Sequence, residues 1–228
     1  MTSISVIINA RTTSSRLPRK LVRPFAGTSL IDIALEKLDR MGFFAHRYLA
    51  VAEPELAERA KPFGNIEILW RDEAAIKPGY NPHEVQYAHY RRIDSEYFVW
   101  MNACCPLLSM KTLRSAAEEV ARTRHNSYTS VVPTTDWIFD SDGHALTNKD
   151  ASMVSTAHSP TFYRVAHVFH VFNKSFFERT NELWTLMPDD PALIQVPEEE
   201  IFDVNTPLEF EIAEAAYRAQ SLSHTAAD

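Results

Sequence analysis

ISVIINARTTSSRLPRK, spanning Ile4 to Lys20, joins a short apolar run to a polar, cationic turn. The run Ile4-Ser5-Val6-Ile7-Ile8 is brief and β-branched, which predicts a buried strand. Asn9 and Ala10 lead from it into Arg11 to Ser15, followed by Arg16, Pro18, Arg19 and Lys20. No Asp or Glu occurs from Met1 to Ile31, whereas Arg11, Arg16, Arg19, Lys20 and Arg23 are all cationic, in a chain of formal net charge -7. Hydroxyls, amides and cations at a strand end are the donors and counter-charges that a polyphosphate needs. A solvated basic loop has the same composition, so charge alone leaves both readings open.

Outward from this stretch, strands and helices alternate. Ile31, Ala34, Leu35 and Leu38 fall at helical spacing, and that helix is expected to end near Gly42. Tyr48 to Ala52 reads as a strand, Glu55 to Lys61 as a short helix, and Ile66 to Leu69 as a third strand. This order predicts parallel βαβ units in a layered α/β sheet. Arg71 to Pro82, with Pro78-Gly79 and Asn81-Pro82, reads as a loop, and a helix is expected from His83 to about Ile93. The strand Tyr97 to Met101 ends in Asn102-Ala103-Cys104-Cys105-Pro106, where open α/β sheets place their ligands. A helix through Leu113, Ala116, Ala117 and Val120 and a strand Thr129 to Val132 follow. Pro133 to Pro160 turns polar, with Asp140-Ser141-Asp142-Gly143 as its clearest turn, and reads as an excursion from the sheet, a hairpin arm. In a strand from Val165 to Phe172, His167 and His170 would face opposite sides and could not share a metal. Ile201 to Asn205 reads as a short strand running into Thr206-Pro207-Leu208-Glu209, a capping box with Pro at the first helical position. Phe210, Ala213 and Tyr217 line one face of that last helix, whose tail is expected to fray from Ser221.

With 228 residues, 45% of them hydrophobic, the chain suits a single domain over 1–228. No apolar run approaches the roughly 20 residues of a membrane span, and no secretory leader is evident at the N-terminus. Cys104 and Cys105 are adjacent, which indicates neither a disulfide framework nor a zinc site, and a cytoplasmic protein is expected. The acidic balance, without a basic stripe carrying aromatics, argues against nucleic-acid binding. The five glycines form neither GxGxxG nor GxxxxGK[ST], and no GxSxG or HExxH occurs. The Arg11–Lys20 loop, Arg71, Asn102 and Asp203 are expected to converge on one pocket. The loop would supply cations to a nucleoside triphosphate, and Asp203 a hard oxygen for Mg²⁺.

Ile8 to Lys20 resembles the first motif of the cytidylyltransferases that activate sugar acids, which reads PARxxSxRLPxK in the branch acting on 3-deoxy-manno-octulosonate. Arg11, Ser14, Arg16, Leu17, Pro18 and Lys20 match it. Arg71 falls where the acylneuraminate branch has an Arg near cytosine. Asn102 to Leu107 resembles that branch's QPTSPL, and Asp203-Val204-Asn205-Thr206-Pro207 resembles the closing DxDTPxD motif. The resemblance implies a three-layer, Rossmann-like nucleotide-diphospho-sugar transferase fold with a mostly parallel, mixed sheet. It also implies a homodimer joined by an arm at about 133–164. The implied reaction is transfer of CMP from CTP to an acidic sugar, with release of pyrophosphate and help from Mg²⁺. Arg11, Arg16 and Lys20 would be the catalytic cations, and Asn9, Ala10, Arg11, Ser14, Ser15 and Arg71 would bind nucleotide. Asn102 and Arg164 would meet the sugar acid, while Asp203 and Asn205 would hold metal.

Three departures bear on this. Asn205 stands where the closing motif has its second Asp, the 102–106 segment carries no acid, and Arg164-Val165-Ala166-His167 replaces the acylneuraminate branch's RPNG. A nucleotidyltransferase with another acceptor or nucleotide, or a catalytically impaired nucleotide-binding relative, is therefore the alternative.

Overall fold

In the computed structural model, which describes residues 2–77 and 82–225 with side chains through 220, the opening apolar run forms β1 (Ile4–Asn9). Val6 and Ile8 face one hydrophobic cluster and Ile7 the other, the alternation of a strand covered on both sides. A small ladder of β2 (Pro24–Phe25) and β3 (Thr28–Ser29) precedes α1 (Leu30–Arg40). The chain continues through β4 (Arg47–Val51), α2 (Pro54–Ala60), β5 (Glu67–Trp70), α3 (Glu73–Ile76) and α4 (His83–Gln86). After β6 (Tyr97–Met101) come α5 (Met110–Thr123), β7 (Ser127–Thr134), β8 (Phe162–Asn173), α6 (Lys174–Thr180), β9 (Ala192–Gln195) and α7 (Pro207–Thr225).

The main sheet has seven strands in the order β5-β4-β1-β6-β8-β7-β9. Only β8 runs against the rest, pairing antiparallel with both β6 and β7. Apolar residues of α1, α5 and α7, such as Leu35, Leu113 and Phe210, bury one face. Tyr90, Ile93 and Phe177 bury the other, giving the expected three layers. Because β4 and β6 flank β1, the strand order reverses there, and a crevice opens beyond the carboxyl ends of β1 and β6.

Several elements differ from the sequence expectations. The segment His83 to Ile93 is not one helix: α4 stops at Tyr87, and a 3₁₀ turn over Ala88–Arg92 follows. The tighter turn lets His89 and Tyr90 both enter the interior. The 71–82 loop contains α3, while the turns expected at Pro78-Gly79 and Asn81 lie outside the described residues. Ile201 to Asn205 joins no strand. Its Val204 N–H donates to the Cys104 carbonyl at 3.0 Å, so the segment crosses the sheet's end. The α7 backbone runs to Thr225 without fraying at Ser221. Its capping box forms as expected, with Glu209 accepting from the Thr206 N–H at 2.8 Å and the Thr206 hydroxyl accepting from the Glu209 N–H at 3.3 Å.

The β7–β8 ladder reaches Thr134 and Phe162, so the irregular excursion covers 135–161. Its turn at Asp140 closes through Gly143, whose φ of +85° suits glycine. His167 and His170 do not face opposite sides. A bulge at His167, with φ of +56°, breaks the alternation and brings the two rings within 3.2 Å. Among the described residues, no helix is long and apolar enough to cross a membrane.

Candidate active site

The loop after β1 is held by tertiary bonds. Ala10 is buried, and its N–H donates to the Ala50 carbonyl at 2.9 Å. Glu53, just before α2, clamps the next turn: its Oε1 accepts from the Thr12 N–H at 2.8 Å and from the Thr12 hydroxyl at 3.1 Å. The Arg19 N–H returns to the Thr12 carbonyl at 3.2 Å, and the buried Leu17 anchors the far side. The turn so closed leaves Arg11 and Arg16 exposed.

Two cavities flank it. One, of about 600 Å³, is lined by Arg11, Thr12, Ser14, Ser15 and Arg19, with Ala75, Lys77 and Gln86 opposite. The other, of about 460 Å³, is lined by Arg164 to His167 of β8 and by Glu198, Phe202, Asp203, Asn205 and Glu209. The expected single pocket is thus divided, and Arg16 and Lys20 span the divide. Arg16 Nη2 donates to Asn205 Oδ1 at 2.8 Å; Lys20 Nζ donates to the same oxygen at 2.9 Å and to the Val204 carbonyl at 2.7 Å. The amide nitrogen of Asn205 donates to Asp203 Oδ2 at 2.7 Å. Two donors on one side and a carboxylate on the other fix the amide's orientation.

Asp203 Oδ1 is buried without a hydrogen-bond partner among the described residues. A buried carboxylate oxygen lacking a donor is one that a hard cation satisfies. No group of three or more metal-ligating side chains occurs among the described residues. The unpartnered Asp203 oxygen fits an Mg²⁺ that takes one carboxylate from the protein and the rest of its shell from phosphates and water.

Asn102 is engaged within the fold. Its Nδ2 donates to the His167 carbonyl and its Oδ1 accepts from the Cys104 N–H, each at 3.0 Å, stapling the turn after β6 to the β8 bulge. Asn9 is likewise held, donating to the Tyr90 hydroxyl at 2.6 Å and meeting His89 Nε2 at 2.8 Å. Burial, then the nearby Arg71 and Arg92, pushes His89 down to about 3, so its ring stays neutral and donates to Asn9. Arg71 gives Nη2 to the carbonyls of Ala75 and Gln86, while its Nε is buried without a partner among the described residues. Arg71 sits beside the larger cavity and lines a small one of about 130 Å³ with Asp72, His89 and Arg92. The Arg164 side chain is exposed, with no hydrogen bond or ion pair among the described residues, while its backbone pairs opposite Val132 in the β7–β8 ladder.

Sequence reasoning missed Glu53, His89, Tyr90 and the contact of His167 with His170. Glu53 has no local motif, and its partner Thr12 is 41 positions away. The paired histidines carried a signal, their spacing, which the bulge reversed.

A family profile described as cytidylyltransferase matches residues 5–214. No curated protein matches the chain. Among solved structures, a CMP:2-keto-3-deoxy-manno-octonic acid synthetase complexed with CTP aligns at TM-score 0.70 and 12% identity, covering 96% of this chain and all of that one. A 4-diphosphocytidyl-2C-methyl-D-erythritol synthase from Anaerococcus prevotii aligns at 0.68 and 14% identity, covering 95% of this chain and 96% of that one. The bifunctional IspDF of Campylobacter jejuni aligns at 0.65 and 13% identity, covering 92% of this chain and 54% of that one. At such identities the likeness establishes the shared Rossmann-like fold.

Proposed function

The chain belongs to the cytidylyltransferase family, and from that premise we propose that it transfers CMP from CTP to an acidic sugar of the nonulosonic or 3-deoxy-octulosonic type. The observation behind this is the bridge between the cavities, where Arg16 and Lys20 meet Asn205 at 2.8 and 2.9 Å. It draws two cations of the first motif onto the closing motif, at the junction where a nucleotide and an acceptor would meet.

Arg11, Ser14 and Ser15 would hold the triphosphate along the larger cavity, with Arg71 and the backbone around Asn9 and Ala10 toward the base. Arg16 and Lys20 would face the α-phosphate and stabilise charge that grows on its oxygens during transfer. Arg164, exposed in the smaller cavity, would pair with the acceptor's carboxylate. Asp203, which Asn205 orients through its amide N–H, would hold Mg²⁺, which when bound would neutralise triphosphate charge. A second copy of the chain is the proposed partner of the 135–161 excursion, where Phe139, Leu146 and Val154 are exposed.

Calorimetry with CTP, with and without Mg²⁺ and against UTP, GTP and ATP, tests the reading. Selective, Mg²⁺-strengthened CTP binding is expected, and no binding to any of the four would overturn it. Nucleotide binding without transfer is a second reading, favoured because Asn205 Oδ1 already accepts from two cations. CTP binding indifferent to Mg²⁺ would select it.

A further inference from the structure

β8 carries more residues than its neighbour can pair. Thr129 lies opposite His170 and Val131 opposite Val165, so two steps along β7 match five along β8. The surplus is absorbed around His167, whose φ of +56° is uncommon for a residue other than glycine. Backbone held in such a region tends to mark a functional position. Asn102 fixes the bulge by donating to the His167 carbonyl at 3.0 Å.

The bulge assembles a chain of side chains. Thr129 Oγ1 lies 2.9 Å from His170 Nδ1, and His170 Nε2 lies 3.2 Å from His167 Nδ1. His170 is buried, stacked on Trp100 and met edge-on by Trp184, each with ring centroids 5.1 Å away. Burial, then His167, pushes it down to about 3, so it stays neutral with one N–H. His167 is the exposed end, on the wall of the smaller cavity with Arg164 and Asp203. Among the described residues it makes no hydrogen bond to Asp203 or Asn205. Glu209 already accepts from the N–H groups of Asn205 and Thr206, and Asp203 from the Asn205 amide.

We propose that His167 is the general base of the transfer, with His170 and Thr129 as the residues that position it. This rests on the transfer reaction proposed above. In the productive tautomer, His170 donates its Nδ1–H to Thr129 and accepts the His167 Nδ1–H at Nε2. His167 Nε2 then keeps a lone pair. As the acceptor's hydroxyl oxygen bonds to the α-phosphorus of CTP, its proton passes to that nitrogen. The bond from the α-phosphorus to the bridging oxygen breaks, and its electron pair leaves with pyrophosphate. The resulting imidazolium keeps its Nδ1–H on the neutral His170. A histidine suits this task because a neutral imidazole nitrogen with a free lone pair can take the hydroxyl's proton. The charged groups around the same cavity are Arg164, Glu198, Asp203 and Glu209, with Arg16 and Lys20 at its edge.

His167→Asn is the informative variant, because Asn tolerates positive φ but cannot take the proton. The assay is single-turnover pyrophosphate release from CTP and Mg²⁺, with 3-deoxy-manno-octulosonate and N-acetylneuraminate as acceptors, across the pH range in which histidines titrate. Expected results are a loss of about 100-fold or more, disappearance of the limb that rises with pH, and an unchanged Kd for CTP. His170→Gln should move that limb without removing it. A His167→Asn variant that keeps rate and limb while the unsubstituted protein transfers CMP would overturn the assignment and leave the transfer reading standing. Lost CTP binding would also overturn it, by making His167 a binding residue. No transfer by the unsubstituted protein to either acceptor would overturn the transfer reading, and the base with it.

Discussion

Replacing Asn205 by Asp restores the carboxylate that the family's closing motif carries, and it should destabilise the metal-free protein. The amide nitrogen that donates to Asp203 Oδ2 at 2.7 Å becomes an oxygen. A hydrogen bond to a charged acceptor is lost, worth about 1.5–3 kcal/mol. Two carboxylates then face each other at roughly 4 Å, a repulsion of about 1 kcal/mol in water and about 4 kcal/mol near a protein surface. Against this, the bonds from Arg16 and Lys20 become ion pairs. Arg16 is exposed and Lys20 half-buried, so each gains at most about 1 kcal/mol. With mid-range values the cost exceeds the gain by about 2–3 kcal/mol, which at this chain length lowers Tm by roughly 4–12 °C. Mg²⁺ should reverse the sign, because it binds the paired carboxylates better than one carboxylate and an amide. Thermal unfolding of both proteins in EDTA and in a Mg²⁺ series measures both effects. An Asn205→Asp protein as stable as the parent in EDTA would refute the electrostatic reasoning, and one unmoved by Mg²⁺ would refute the placement of the metal beside Asp203.

Glu53→Ala should remove the clamp on Thr12 and weaken CTP binding by about 1–3 kcal/mol, whereas Glu53→Gln, which can still accept both bonds, should cost less; calorimetry on the two variants separates them. Lys20→Met should lower CTP affinity by about 1–3 kcal/mol, and losing its bonds to the Val204 carbonyl and Asn205 should lower Tm as well, both read from binding and melting on one sample. His89 and His170 are each pushed down to about 3 by burial, whereas an unfolded histidine titrates at about 6.5. The unfolded chain therefore binds more protons between these values. Stability should fall as pH drops through that window, by up to about 1.4 kcal/mol per pH unit for each ring, and urea midpoints of the parent and His89→Gln should show the reduced slope in the variant.

Features legible in the sequence were local. The β-branched run of Ile4 to Ile8 and the Thr206–Glu209 capping box each express geometry within a few residues, and each formed as expected. The α/β alternation and the family motifs were readable for the same reason. The broken helix at Tyr87, the unpaired Ile201–Asn205 segment and the His167 bulge were not. Each depends on what the rest of the chain presents: an interior that takes in His89 and Tyr90, a sheet end to cross, a neighbouring strand with fewer residues to pair.

The sequence by itself determined the layered α/β class and the cationic character of the loop after β1, because periodicity and residue type act over short range. Tertiary structure alone decided that the site has two cavities and that Glu53 holds Thr12. It alone brought Arg16 to Asn205, a partner 189 positions away, and His167 to His170. Such contacts arise from strand order and register, and no window along the chain contains the two residues and the sheet that brings them together.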